Sequence, residues 1–169
     1  PFRAWCGACV AGRAQDSPHF LRVSVKFPGL PVVMLDFYYL TTREEEAKLT
    51  CLCVADCTSG ALASTGLPAK ATNDKAESAR YVIEFVLHAL EDWGYKDLVL
   101  HRDGEPRIVA LVEKVKERRS GSRTILEQGA RYSHQSQGQA EQGCKALEGQ
   151  VRTLLHALGE RTGVEFGPD

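Results

Sequence analysis

Three short β-type runs follow one another before any helical pattern begins, and that order constrains the chain more than any other feature. They are Val32 to Tyr39, Leu49 to Asp56 and Ala61 to Gly66, with Ser59-Gly60 forming a turn between the last two. Runs this close together pair most simply with their neighbours, which predicts a three-stranded antiparallel meander.

The pattern then changes period. Asp74-Lys75-Ala76-Glu77 opens like a capping box, and Ala76, Ala79, Ile83, Val86 and Leu90 recur at helical spacing until Gly94. Asp97 to His101 is a compact apolar strand. Pro106 in a helix first turn introduces Ile108, Val109, Val112 and Val115 on one face, and Arg123 to Leu126 reads as a fifth strand. A last helix shows a seam of Ala140, Cys144, Leu147, Val151, Leu154 and Leu158, expected to pack on the core. Three antiparallel strands followed by α-β-α-β-α is the order of a ribonuclease-H-like α/β fold, a five-stranded mixed sheet flanked by helices.

Length and composition fit one such unit. In 169 residues, 43% are apolar, enough to build a core. The expected organisation is a leader over residues 1–31, a core over 32–160 and a tail over 161–169. The start at Pro1 lacks an initiator Met and a signal-peptide layout, which points to a piece of a longer chain. No apolar run is long enough to cross a bilayer, so no membrane role is expected. A net charge of -1 lacks the positive excess of a dedicated DNA-binding arm, so any contact with DNA must be local. Lys114, Lys116, Arg118, Arg119 and Arg123 form the one basic cluster. They can meet phosphates, or form an ordinary solvated helix end.

Six cysteines are too irregularly placed for a secreted disulfide framework and are read as reduced. Cys51, Cys53 and Cys57 occupy odd positions that share one face of a strand, as core thiols do. Cys6-Gly7-Ala8-Cys9 is half of a zinc site, with only His19 nearby as a further ligand.

Three carboxylates stand out. Asp36 lies inside an otherwise apolar strand, where a bare carboxylate needs a cation, a donor or a proton. Asp103 follows a strand that should be interior, where open α/β sheets place their sites, although a turn-forming Asp-Gly reads the same way. Glu141 opens the last helix, where it either answers the helix dipole or serves chemistry. Two strand-borne Asp and one helix-borne Glu would together supply hard oxygen ligands for two Mg²⁺ or Mn²⁺ ions. Such ions, about 3.5–4 Å apart, support in-line phosphoryl transfer. Asp56 competes with Asp36, but it precedes Cys57-Thr58-Ser59-Gly60 and is better explained as a turn-stabilising side chain. The chain contains no G-x-S-x-G elbow, P-loop or G-x-G-x-x-G.

These carboxylates and their surroundings resemble the catalytic core of retroviral and retrotransposon integrases. His101-Arg102-Asp103-Gly104 is similar to the family's second-Asp motif. Tyr132-Ser133-His134-Gln135-Ser136-Gln137-Gly138-Gln139-Ala140-Glu141 is similar to its Glu motif, and Asp103 and Glu141 stand 38 positions apart. The chain departs from the pattern in Gly104, which stands where Asn is common, and in Ser133-His134, which replaces a proline.

The resemblance implies Asp36, Asp103 and Glu141 as catalytic metal ligands, with Asp36 bridging two ions. The implied reaction is 3′-end processing followed by strand transfer, without a covalent enzyme intermediate. It implies Gln137 and Lys145 near the element's DNA end, while the charge of the basic cluster makes Lys114, Arg118 and Arg119 the candidates for further DNA contacts. Cys6 and Cys9 resemble the tail of the family's zinc module, so Zn²⁺ would bind only with upstream histidines. Element-end and target DNA, a homo-oligomer and a nuclear location reached through the cytoplasm complete the expectation. The alternatives are a related nuclease that only cleaves and a non-catalytic descendant that binds DNA or protein.

Overall fold

The computed structural model describes residues 3, 5–12, 27, 29–40, 49–67, 76–102, 104–128 and 134–164, without the side chains at 11, 76–78, 134–137, 139 and 140. The elements are α1 (Gly7–Ala11), β1 (Val32–Leu40), β2 (Leu49–Asp56), β3 (Leu62–Leu67), α2 (Ala76–Asp92), β4 (Leu98–Arg102), α3 (Pro106–Arg118), β5 (Thr124–Gln128) and α4 (His134–Thr162). The strands form one mixed sheet in the order β3-β2-β1-β4-β5. β1, β2 and β3 pair antiparallel, whereas β4 joins β1 and β5 in parallel. This is the ribonuclease-H-like arrangement expected from the order of patterns.

Strand alternation divides the core. Val33, Leu35, Leu52, Val54, Leu98 and Leu100 face one way and meet Ile83, Val86 and Leu90 of α2 and Ile108, Leu111, Val112 and Val115 of α3. Each such side chain, fully buried, contributes roughly 1.5–3 kcal/mol. On the other face, Tyr38, Cys51, Cys53 and Ala55 pack beneath Cys144 of α4, while Val32, Met34, Cys57 and Val99 form a neighbouring cluster. The three cysteines at odd positions therefore lie on one side, with Cys57 just past the end of β2.

Local signals explain the boundaries. Gly94, at φ 73°, closes α2, and Tyr95 N–H returns to the Leu90 carbonyl at 3.2 Å. Pro106 stands in the first turn of α3, where a missing N–H costs nothing. Between β2 and β3, Asp56 is fully buried and accepts Thr58 N–H at 2.8 Å, Ser59 N–H at 3.2 Å and the Ser59 hydroxyl. The capping box of α2 begins at Asp74 and Lys75, outside the described residues.

Three expectations are corrected. Leu111, rather than Val109, joins the buried face of α3. The segment expected to be irregular contains α1, which packs on α4, with Gly12 against Thr153. The α4 seam is buried only in part: Cys144 is covered, but Leu154 and Leu158 are 69% and 43% exposed. A helix of 29 residues spans about 44 Å, against about 30 Å for the nine-residue β1, so α4 is too long to be covered along its whole length by such a strand.

Candidate functional site

Asp36 of β1 and Glu141 of α4 both act on the Cys144 thiol, Asp36 by direct approach and Glu141 from one helical turn away. Asp36 is half-buried on β1, opposite Cys53 of β2, and its Oδ1 accepts the Phe37 N–H at 2.8 Å. Cys144 Sγ stands 4.0 Å from Asp36 Oδ2, too long for a strong bond but close enough to couple the groups. Glu141 is exposed on α4, one turn before Cys144.

The Cys144 thiol registers both carboxylates. Hydrogen bonding with Cys53 and burial push its ionisation well above the ordinary thiol range, and the negative charges of Cys53, Asp36 and Glu141 push it further. Thiolate formation would add a further negative charge beside Asp36 and within the field of Glu141. The other thiols on this face behave likewise. Burial raises Cys51, and burial followed by the Asp56 charge pushes Cys57 up to about 12. All six cysteines are free thiols.

β4 brings a second approach to this face. Parallel pairing runs through Val32↔Val99 and Val33↔Leu100 to Met34↔His101, so His101 shares the face of Met34 and Asp36. His101 Nδ1 lies 3.7 Å from Glu127 Oε2 of β5. Asp103 falls outside the described residues. Among the described residues no three His, Cys, Asp or Glu side chains converge to hold a metal ion. The donor chemistry of Asp36 and Glu141 nevertheless suits a hard divalent cation, since both offer carboxylate oxygens.

The remaining candidates are dispersed. α4 begins at His134, so positions 137, 141 and 145 follow one another at four-residue steps along one side. Lys145 is exposed there, and the Gln137 side chain lies outside the described set. Lys114 and Arg118 are exposed on α3, and Arg118 pairs with Glu84 of α2. α3 covers the opposite face of the sheet and carries them about 12–18 Å from its start at Pro106. Arg119 is buried. Its guanidinium donates to the Tyr95 and Lys96 carbonyls, each at 2.8 Å, and to Thr124 Oγ1 at 3.1 Å. It straps the segment before β4 to the start of β5 instead of facing solvent. Cys6 and Cys9 are half-buried at α1, where the Cys9 N–H and thiol draw the ionisation of Cys6 below its usual value.

Sequence reasoning missed Cys144 and Cys53 as neighbours of Asp36. The signal was present: even positions of β1 and odd positions of β2 share a face, and a step of three along a helix keeps Cys144 beside Glu141.

No protein-family model and no curated protein matches this chain. Among solved structures, it matches a chain of the cryo-EM structure of the simian T-cell lymphotropic virus intasome in complex with PP2A regulatory subunit B56 gamma. The TM-score is 0.54 at 18% identity, covering 94% of this chain and 51% of that one. The two share a fold. This chain therefore spans about half the length of that intasome chain. The crystal structure of the catalytic core domain of BIV integrase also matches, at TM-score 0.44 and 17% identity, over 82% of this chain and 86% of that one. No helix among the described residues is long and apolar enough to cross a membrane.

Proposed function

We propose that this chain is the catalytic core of a retrotransposon integrase, trimming the 3′ ends of its element's DNA and joining them to target DNA by metal-dependent phosphoryl transfer. The observation that carries this reading is the approach of Cys144 to Asp36 one helical turn from Glu141, in a fold shared with an intasome chain. Asp103 completes the set.

In this reading Asp36, Asp103 and Glu141 would hold the Mg²⁺ or Mn²⁺ ions through their carboxylate oxygens. Bound ions of this kind sharpen the attacking oxygen and neutralise the leaving one. The chain's own part is positional: β1 and α4 fix the gap into which the scissile phosphate fits, and the neutral Cys144 thiol keeps a third negative charge out of it. Lys145, one turn beyond Glu141, meets a phosphate of the element's DNA end, with Gln137 one turn before it. Lys114 and Arg118 belong to a more distant stretch of duplex. Cys6 and Cys9 would supply two thiolate ligands to Zn²⁺ only if upstream histidines complete the site. Joining two DNA ends calls for a homo-oligomer acting in the nucleus.

The test is a Mn²⁺-dependent assay on branched DNA that mimics the joined product, comparing this chain with Asp103→Asn and Glu141→Gln. Resealed strands that vanish in both variants support the reading. Cleavage without resealing would reassign the chain as a nuclease. A folded chain that binds no Mn²⁺ and makes no product would mark it as a non-catalytic DNA- or protein-binding domain.

A further inference from the structure

Beneath Asp36 the molecule holds two sulfurs that the carboxylate chemistry does not use. Cys53 stands opposite Asp36 in the pairing of β1 with β2, and Cys144 of α4 shares one buried cluster with it. The helix comes this close because residue 143 is glycine. A Cβ at that position would lie 3.6 Å from Ala55 Cβ and 3.7 Å from Cys53 Sγ. A helix this near to the strand lets Cys144 share a buried cluster with Cys53, the neighbourhood a disulfide needs if its Cα atoms are to come within roughly 4.4–6.8 Å.

We propose that Cys53 and Cys144 are a redox-closable pair, a modification site whose disulfide staples α4 to β2 under Asp36. Both residues are buried, at 1% and 7% exposure, so the fitting oxidant is a small hydroperoxide. Cys53 Sγ, the sulfur that accepts the Cys144 thiol hydrogen, attacks the O–O bond of hydrogen peroxide. An S–O bond forms, the O–O bond breaks, and one water leaves with the Cys53 thiol proton. Cys144 Sγ then displaces the new sulfenic hydroxyl, which departs as a second water carrying the Cys144 proton. Two thiols and one peroxide become one disulfide and two waters, with two electrons passing from sulfur to peroxide oxygen.

The consequence is geometric. Glu141 lies three residues before Cys144, and Asp36 faces Cys53, so the bond pins the helix and the strand pair that carry the two carboxylates. Cys51 is excluded as the partner because it stands opposite Tyr38, two positions further along. The pairing does not depend on the proposed DNA chemistry and can fail or hold independently of it.

The folded chain is treated with graded hydrogen peroxide, its remaining thiols are alkylated in denaturant, and its peptides are mapped without reduction. The expected product is a Cys53–Cys144 linked peptide, lighter by roughly 2 Da than the two thiol peptides, reversed by dithiothreitol. Tm should rise by roughly 5–15 °C on oxidation. Cys53→Ser and Cys144→Ala each abolish the linked peptide and the Tm rise, and Cys51→Ser keeps both. Three results would overturn the proposal: both thiols recovered alkylated, Cys53 recovered as sulfinic acid without a linked peptide, or Cys144 joined to Cys51. An unchanged Tm in a linked protein would overturn the staple as well. Peptide mapping also separates this bond from one between Cys6 and Cys9.

Discussion

Tyr95 donates its phenolic hydrogen to Asp56 Oδ2 at 2.6 Å, tying the segment after α2 to the turn between β2 and β3. Asp56 is fully buried and also takes two backbone N–H groups and the Ser59 hydroxyl. A hydrogen bond to a buried charged acceptor contributes roughly 1.5–3 kcal/mol. Tyr95→Phe should therefore lower unfolding free energy by about 1–2 kcal/mol, because Asp56 keeps its other donors. A urea midpoint unchanged at constant slope would show that the bond contributes nothing.

The same network separates the two aspartates. Asp56→Ala removes the acceptor for four donors and should cost about 3 kcal/mol or more, whatever metal is present. Asp36→Asn keeps an oxygen for the Phe37 N–H and should leave stability within about 1 kcal/mol while weakening Mn²⁺ binding at least tenfold. Calorimetric Mn²⁺ titration beside urea unfolding reads both. The assignment of Asp36 as ligand fails if Asp36→Asn binds Mn²⁺ as tightly as the parent chain.

Much of the fold was legible because period and order agree: alternation in β1 and β2, helical spacing in α2, and turn chemistry at Ser59-Gly60 and Gly94. Glu141 was legible through its motif, and Asp56 as a turn residue through the Ser and Gly that follow it. Other features left no local trace. Arg119 looks like one more surface cation, since its partners are backbone carbonyls of Tyr95 and Lys96, which any sequence supplies. The apolar seam of α4 continues past Val151 although the sheet does not, so periodicity overstated its burial. The five residues of α1 are too few to show a helical period.

Alkaline pH should loosen the α4 side of the sheet first. Burial, only partly offset by the hydrogen bond with Ser64, pushes Tyr38 up to about 12 from an ordinary 10.0, and Cys57 rises to about 12 from 9.0. Burial also raises Tyr95 and Cys51. Groups raised on folding contribute stability that is complete below their unfolded values and lost as pH climbs towards the folded ones. The urea midpoint should thus gain nothing from these groups' titration below pH 9 and fall between about pH 9 and 12. Tyr38→Phe should shrink the part of that fall above pH 10. A midpoint equally steep in the variant would place the alkaline loss elsewhere.

Glycine replacement can show whether α4 must press on β2 where it carries the site. A Cβ at Gly138 meets nothing within 4 Å, so Gly138→Ala should gain the helix propensity of alanine, about 0.5–1 kcal/mol. At Gly143 the same change puts a Cβ 3.0 Å from Leu62 Cδ2. That methyl ends a flexible side chain and can move, but only by loosening the cluster around Cys53, so the gain should be cancelled or reversed. Urea unfolding of the two variants gives the difference directly. Equal stabilisation by both would mean that α4 rests on the sheet more loosely than the Cys144–Asp36 approach requires, weakening the geometry on which the carboxylate pair depends.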